Sequence, residues 1–195
     1  MTDIHDPRLQ LAPPAERAST WLFLLSVALP VAITAIALLL STLDAGELRL
    51  IGDSLPLTAA VSLAGVAAIS LAVWFPLHRA MHRRHLLSTS ASLQLHSTFY
   101  RCEVPLQEMQ LTRARLVDLD EQLELRPRKS NGFSVPGLRS GWFRVGGRRT
   151  FVAIADGRRV LWIPTSGRHD LLIEPRDPAK LLERLQALAP ASSRT

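Results

Sequence analysis

Three histidines, His78, His82 and His85, fall at i, i+4 and i+7 within the run HRAMHRRH. On one continued helix they would share a face, and imidazoles one turn apart can converge on a tetrahedral ion such as zinc. The interleaved arginines Arg79, Arg83 and Arg84 oppose a dication, and no Cys or acid stands nearby to complete a ligand set. The run therefore reads as a basic collar beside a membrane, where cationic side chains meet anionic headgroups. No metal is expected.

Other chemistry is sparse. The carboxylates Asp118, Asp120, Glu121 and Glu124 cluster in a stretch that reads as an exposed acidic face, not as an acid–base pair. Cys102 is the sole cysteine, so no internal disulfide can form, which agrees with a reducing compartment. It lies in a strand-like run, and a buried structural thiol is the expectation. No G-x-S-x-G elbow, P-loop or dinucleotide fingerprint occurs. The chain is read as non-enzymatic, with no catalytic or cofactor-binding residue and no cofactor.

The elements that would carry these residues are dominated by two apolar runs. Residues 21–43 and 54–77 contain no charge, and about twenty apolar residues cross the hydrocarbon core of a bilayer. A signal peptide is the alternative for the first run. The leader, residues 1–20, carries Asp3, Asp6 and Glu16 beside Arg8 and Arg17, and the run is too long for a signal core. Pro30 should bend the first span. Neither span holds an ionisable residue, which suits an anchor better than a transport pathway.

Charge sets the expected orientation. The connecting loop, residues 44–53, has three acids against Arg49, whereas Arg79, Arg83 and Arg84 follow the second span. Basic residues beside membrane ends stay inside, so both termini are expected in the cytoplasm of a bacterium, with the loop outside its inner membrane. Ala60, Ala64, Ala68 and Ala72 recur every fourth residue along the second span, with Ala28 and Ala32 on the first. Two readings stand: a smooth seam on which the hairpin packs, or the plain abundance of alanine in this chain.

A basic juxtamembrane linker is expected over 78–91, a soluble domain over 92–189, and a polar tail over 190–195. The part before residue 78 has three arginines against six acids; the part after it has twenty basic against eleven acidic residues. Around the glycine-rich region stand Arg126, Arg128, Lys129, Arg139, Arg144, Arg148 and Arg149. Such charge attracts phosphates of any kind. No nucleic-acid motif accompanies it, so an anionic membrane surface is the favoured partner, through Arg79, Arg83, Arg84, Arg126, Arg128, Lys129, Arg148 and Arg149. A solvated basic surface with no partner stays open.

The soluble part reads as a β-meander closed by a helix. Gly146-Gly147 and Asp156-Gly157 separate the strand-like runs 142–145, 148–155 and 158–164, as two-residue hairpin loops do. Ser166-Gly167 leads into a fourth run, 169–173. Asp177 and Pro178 form an N-cap and first helical position, and Leu181, Leu182, Leu185 and Leu188 give that helix an apolar face. Residues 92–104 read as one further strand. Residues 106–125 fit a strand with a loop or a short amphipathic helix.

The stretch NGFSVPGLRSGWFRVGG, with Asn131, Gly132, Phe133, Pro136, Gly137, Gly141, Trp142 and Phe143, followed by the WIPTSG ending and the helix opened by EPRDPAKLLERL, resembles bacterial pleckstrin-homology-like domains of small membrane proteins. The similarity covers roughly Leu93 to Leu188. It implies a bent antiparallel sheet with the C-terminal helix closing one end, and it brings no catalytic residue or lipid site with it. The expected whole is a membrane-anchored α+β protein: a two-helix transmembrane hairpin followed by a PH-like sheet and a C-terminal helix. Its expected work is that of a scaffold or regulatory adaptor with a protein partner, or alternatively an accessory subunit of a membrane transporter or enzyme complex that docks through the hairpin.

Overall fold

The computed structural model describes residues 9–43, 54–89 and 91–189. The loop over 44–53, expected to face outward, the start of the leader and the polar tail lie outside the described residues. The chain divides into two compact units, Met1–Ala18 with Ala80–Thr195, and Ser19–Arg79.

The helical unit shows how Pro30 is accommodated. Proline has no N–H for the carbonyl four residues back, and its ring crowds that carbonyl. The helix widens just before it: α1 (Glu16–Phe23) passes through a π-turn at Leu24–Ala28 into α2 (Leu29–Leu43), and the Leu29 N–H bonds to the Leu24 carbonyl. Ser26 and Thr34 donate their hydroxyls to the carbonyls of Leu22 and Pro30, at 2.6 and 2.9 Å. The accommodation of Pro30 thus takes the form of a π-turn. The second helix, α3 (Leu55–Met81), runs through Pro76 and ends four residues beyond the expected span.

The other unit holds two sheets. β1 (Arg84–Ser88), β2 (Ser92–Ser97) and β3 (Tyr100–Pro105) form an antiparallel sheet in chain order. The residues expected to be a linker therefore contain the end of α3 and a whole strand. The single strand expected over 92–104 is a hairpin, turned at Thr98 with φ 58°. Thr98 donates its N–H to the Arg83 carbonyl at 3.1 Å, which fixes a turn that has no glycine to announce it.

The second sheet contains β4 (Arg115–Asp118), β5 (Arg128–Val135), β6 (Leu138–Val145), β7 (Arg148–Ile154), β8 (Arg159–Ile163) and β9 (Asp170–Ile173), in the order β4-β8-β9-β7-β6-β5. The strands of the expected meander exist, but their pairing differs. β9 lies between β7 and β8, parallel to β7 and antiparallel to β8, so the sheet is mixed and not wholly antiparallel. Asp156-Gly157 is consequently no hairpin turn. Gly146 and Gly147 have the positive φ that a two-residue hairpin needs, 56° and 83°, whereas Gly157 does not. The connection is instead held by Glu174, whose Oε2 accepts from the N–H groups of Ala155 and Gly157 at 2.8 and 3.1 Å. Residues 106–125 take the strand-and-loop alternative: two short 3-10 turns, then β4, then a third turn at Leu123–Leu125.

Burial follows from this layering. One face of the six-stranded sheet, with Phe151, Leu161, Ile163, Leu171 and Ile173, packs against Leu86, Leu93, Leu95 and Val104 of the small sheet. The helix α4 (Pro178–Leu188) adds Leu181 and Leu185 to the same core. It starts as its sequence dictates, with the Asp177 carboxylate accepting from the Lys180 N–H at 3.0 Å. On the opposite face, Val117, Phe143, Val145, Val152, Val160 and Leu172 form a second core. Where the sheets meet, Gly141 has φ 110° and an added Cβ would stand 2.8 Å from the Tyr100 ring, so a side chain there is excluded twice over.

Candidate membrane-spanning hairpin and basic faces

Both apolar helices are long enough to cross a membrane. The stretches Glu16–Ser41 and Pro56–Met81 have 26 residues each, about 39 Å at the helical rise, against roughly 30 Å of hydrocarbon. Only 11% and 6% of their most apolar windows are buried. A core helix of a soluble protein would be mostly covered, whereas here Ile33, Leu39, Ile69 and Phe75 are more than half exposed.

The alanine repeat is not covered by the first helix. Ala60, Ala64, Ala68 and Ala72 all stand on the exposed face of α3. The less exposed face carries Thr58, Ser62, Ser70 and Trp74. Trp74 meets Phe23 of the first helix edge-to-face, with centroids 5.8 Å apart, and stacks on His78 at 4.8 Å. The physical reason lies in contact area: a tryptophan ring offers far more dispersion contact than a methyl group. The hydroxyl-bearing residues of that face were the available sequence signal.

The histidines do not share one helix, although His82 and His85 line a common cavity with His96. His78 is on α3, His82 follows the helix end at Met81, and His85 lies on β1 opposite His96 of β2. The helical spacing therefore never becomes one face. Among the described residues, no group of three or more His, Cys, Asp or Glu side chains is placed to hold a metal.

The basic residues have several distinct roles. Arg79 and Arg83 are exposed, as a surface collar requires, but Arg84 is only 7% exposed and cannot reach a lipid surface as expected. Its position on β1 turns it to the side of Leu86 and Ser97, into the protein. Arg148 is also engaged internally. It donates to the carbonyls of Thr165 and Gly167 at 3.3 and 3.0 Å and pairs with buried Asp170 at 3.3 Å, pinning the β8–β9 connection. Arg126 donates to the Leu119 carbonyl at 3.1 Å, and with Arg158 it flanks Asp120 of the acidic cluster.

What remains is a row. Arg128 faces Arg144 across β5 and β6, and Arg144 faces Arg149 across β6 and β7. Paired residues in an antiparallel ladder share a face, so three guanidinium groups stand side by side. Arg149 also lies over the Trp142 ring at 4.3 Å. Lys129 is in β5 opposite Phe143; its side chain lies outside the described residues. Sequence spacing missed this row because Arg128 and Arg144 are brought together by the Pro136-Gly137 turn, with φ 87° at Gly137.

Cys102 is buried, with its Sγ 3.2 Å from His169 Nε2. Burial pushes the thiol up to about 12, outweighing the favourable charge of Arg149. His169 is lowered by burial and then by Arg149. A neutral thiol beside a neutral imidazole is a structural pair, not an activated nucleophile.

No family model, no curated protein and no solved structure matches this chain.

Proposed function

We propose that the chain is a non-enzymatic adaptor of the bacterial inner membrane, anchored by its helical hairpin with the β unit in the cytoplasm. The observation that carries this reading is the pair of long, exposed apolar helices, the second of which leads within three residues into a folded β unit. Arg79, exposed in the last turn of α3, and Arg83, exposed two residues beyond its end, supply the inward charge bias. The absence of ionisable groups within the spans supports an anchor, and the protonated state of Cys102 supports a domain without nucleophilic chemistry. The β unit is read as a PH-like module because a helix closes a layered sheet, although the parallel β7–β9 pair departs from the antiparallel pattern. The row Arg128, Arg144 and Arg149 is the surface this reading assigns to anionic headgroups.

A second reading, an accessory subunit of a membrane complex, is favoured by the exposed alanines of α3. They leave a smooth helix face unused within the chain. Reporter fusions test the placement. A fusion after Thr195 should report a cytoplasmic location and an insertion at Gly46 an external one. Periplasmic activity of the Thr195 fusion would overturn the orientation and the adaptor reading with it.

A further inference from the structure

The small sheet has an open edge at β1, and the beginning of the chain closes it. The Gln10 amide donates to the Leu86 carbonyl at 3.1 Å and accepts the Leu86 N–H at 3.0 Å. The same segment is tied to the chain after β9: Ala12 donates its N–H to the Glu174 carbonyl at 2.8 Å, and Arg176 donates its N–H to the Gln10 carbonyl at 2.9 Å. Beside this strap lies a cavity of about 610 Å³, lined by His82, Arg84, His85, His96 and Arg176 together with apolar groups of the strap. Among the described residues, no Asp or Glu lines it.

Arg84 is the informative group. It is more than nine-tenths buried, and none of its three guanidinium nitrogens has a hydrogen-bond partner. Removing a charged group from water without a partner is highly unfavourable, so folds rarely leave one so placed. Burial pushes Arg84 down to about 10, with Glu174 acting the other way. Glu174 makes no ion pair with it, because its carboxylate is occupied by the N–H groups of Ala155 and Gly157. Opposite Arg84 in the ladder, the Ser97 hydroxyl is likewise buried without a partner.

We propose that this cavity binds a phosphate-bearing group, with the Arg84 guanidinium as its principal contact and Arg176 and the three histidines around it. The planar guanidinium fork matches two oxygens of one phosphate, and hydrogen bonds to charged groups are the strong ones. A second arginine, and a lining without acids among the described residues, favour the charge of a phosphate over that of a lone carboxylate. The apolar part of the wall suits the organic portion of an ester. Two sources share this chemistry: a lipid headgroup, since His82 directly follows α3, and a soluble phosphate ester. The site needs only the β unit, so its test is independent of membrane orientation.

The experiment uses the full chain in phosphatidylcholine nanodiscs, with inorganic phosphate titrated against chloride at constant ionic strength and the melting of the β unit recorded. Wild type should show a saturable rise in Tm. Arg84→Gln should melt higher than wild type without phosphate, because an unpaired buried charge is gone, and should lose the response. Arg176→Gln should keep the fold and raise the half-saturating phosphate by about tenfold. Arg101→Gln, on the exposed side of β3, should respond as wild type does. Nanodiscs containing phosphatidylglycerol distinguish the sources: a headgroup ligand raises Tm there without added phosphate and leaves no further response, whereas a soluble ester leaves the phosphate response intact. The site is overturned if no arm raises Tm, or if the rise persists unchanged in both Arg84→Gln and Arg176→Gln.

Discussion

The side-chain amide of Gln10 stands in for a neighbouring strand beside Leu86, meeting both its backbone N–H and its carbonyl. An edge strand with unmet backbone groups invites pairing with another chain, and a planar amide reproduces the donor–acceptor pattern of a peptide group. Gln10→Ala should therefore lower the stability of the β unit by about 1–2 kcal/mol. Amide hydrogen exchange at Leu86 should accelerate with it. Unchanged protection at Leu86 would show that the strap holds without Gln10.

Gly141→Ala should be among the most damaging single substitutions in the sheet. It demands a φ of 110° from an L-residue and drives a methyl group into the Tyr100 ring. We expect a loss of roughly 2–4 kcal/mol, read from denaturant midpoints. Tyr100→Ala in the same background should recover part of that loss by removing the clash, and the unrecovered part measures the backbone strain.

Arg144 is flanked on both sides by arginines, an arrangement that works against folding. Arg144→Glu should raise stability by roughly 0.2–1 kcal/mol at low salt, with the gain shrinking at high salt as screening sets in. If the row serves anionic headgroups, the same substitution should weaken contact of the β unit with phosphatidylglycerol bilayers. A stabilised variant with unaltered lipid contact would leave the row as solvated surface.

Cys102 gives a pH dependence with a definite sign. Its thiol ionises higher in the folded protein, at about 12, than in the unfolded chain. The unfolded state therefore loses its proton first, and the stabilising contribution, complete below the ordinary thiol value, declines as pH rises toward 12. Comparison of wild type with Cys102→Ala should show this component of the alkaline loss only in wild type. Identical alkaline profiles would mean that the thiol is not shielded as its burial indicates.

Much of the local structure was legible in the sequence because local rules decide it. The Asp177 cap, the Gly146-Gly147 hairpin and the two apolar helices all depend on residues within a turn or two of each other. The misreadings come from longer range. Asp156-Gly157 looks like a hairpin loop, but a glutamate at position 174 organises it and β9 separates the strands it joins. Arg84 looks like its neighbours in a basic run, yet strand alternation buries it while Arg83 and His85 stay exposed. The alanine repeat is regular, but Trp74 and the hydroxyl-bearing residues lie on the less exposed face. The arginine row required strand register, which no single segment carries.

Protease treatment of sealed membranes tests the proposed placement of the β unit in the cytoplasm on a two-helix anchor. In inverted inner-membrane vesicles, the many arginines after residue 78 should make the β unit accessible to trypsin, leaving a protected fragment that contains both apolar helices. In intact spheroplasts the β unit should survive until the membrane is opened with detergent. Digestion of the β unit in spheroplasts, or release of the whole chain from membranes by alkaline carbonate, would rule this placement out.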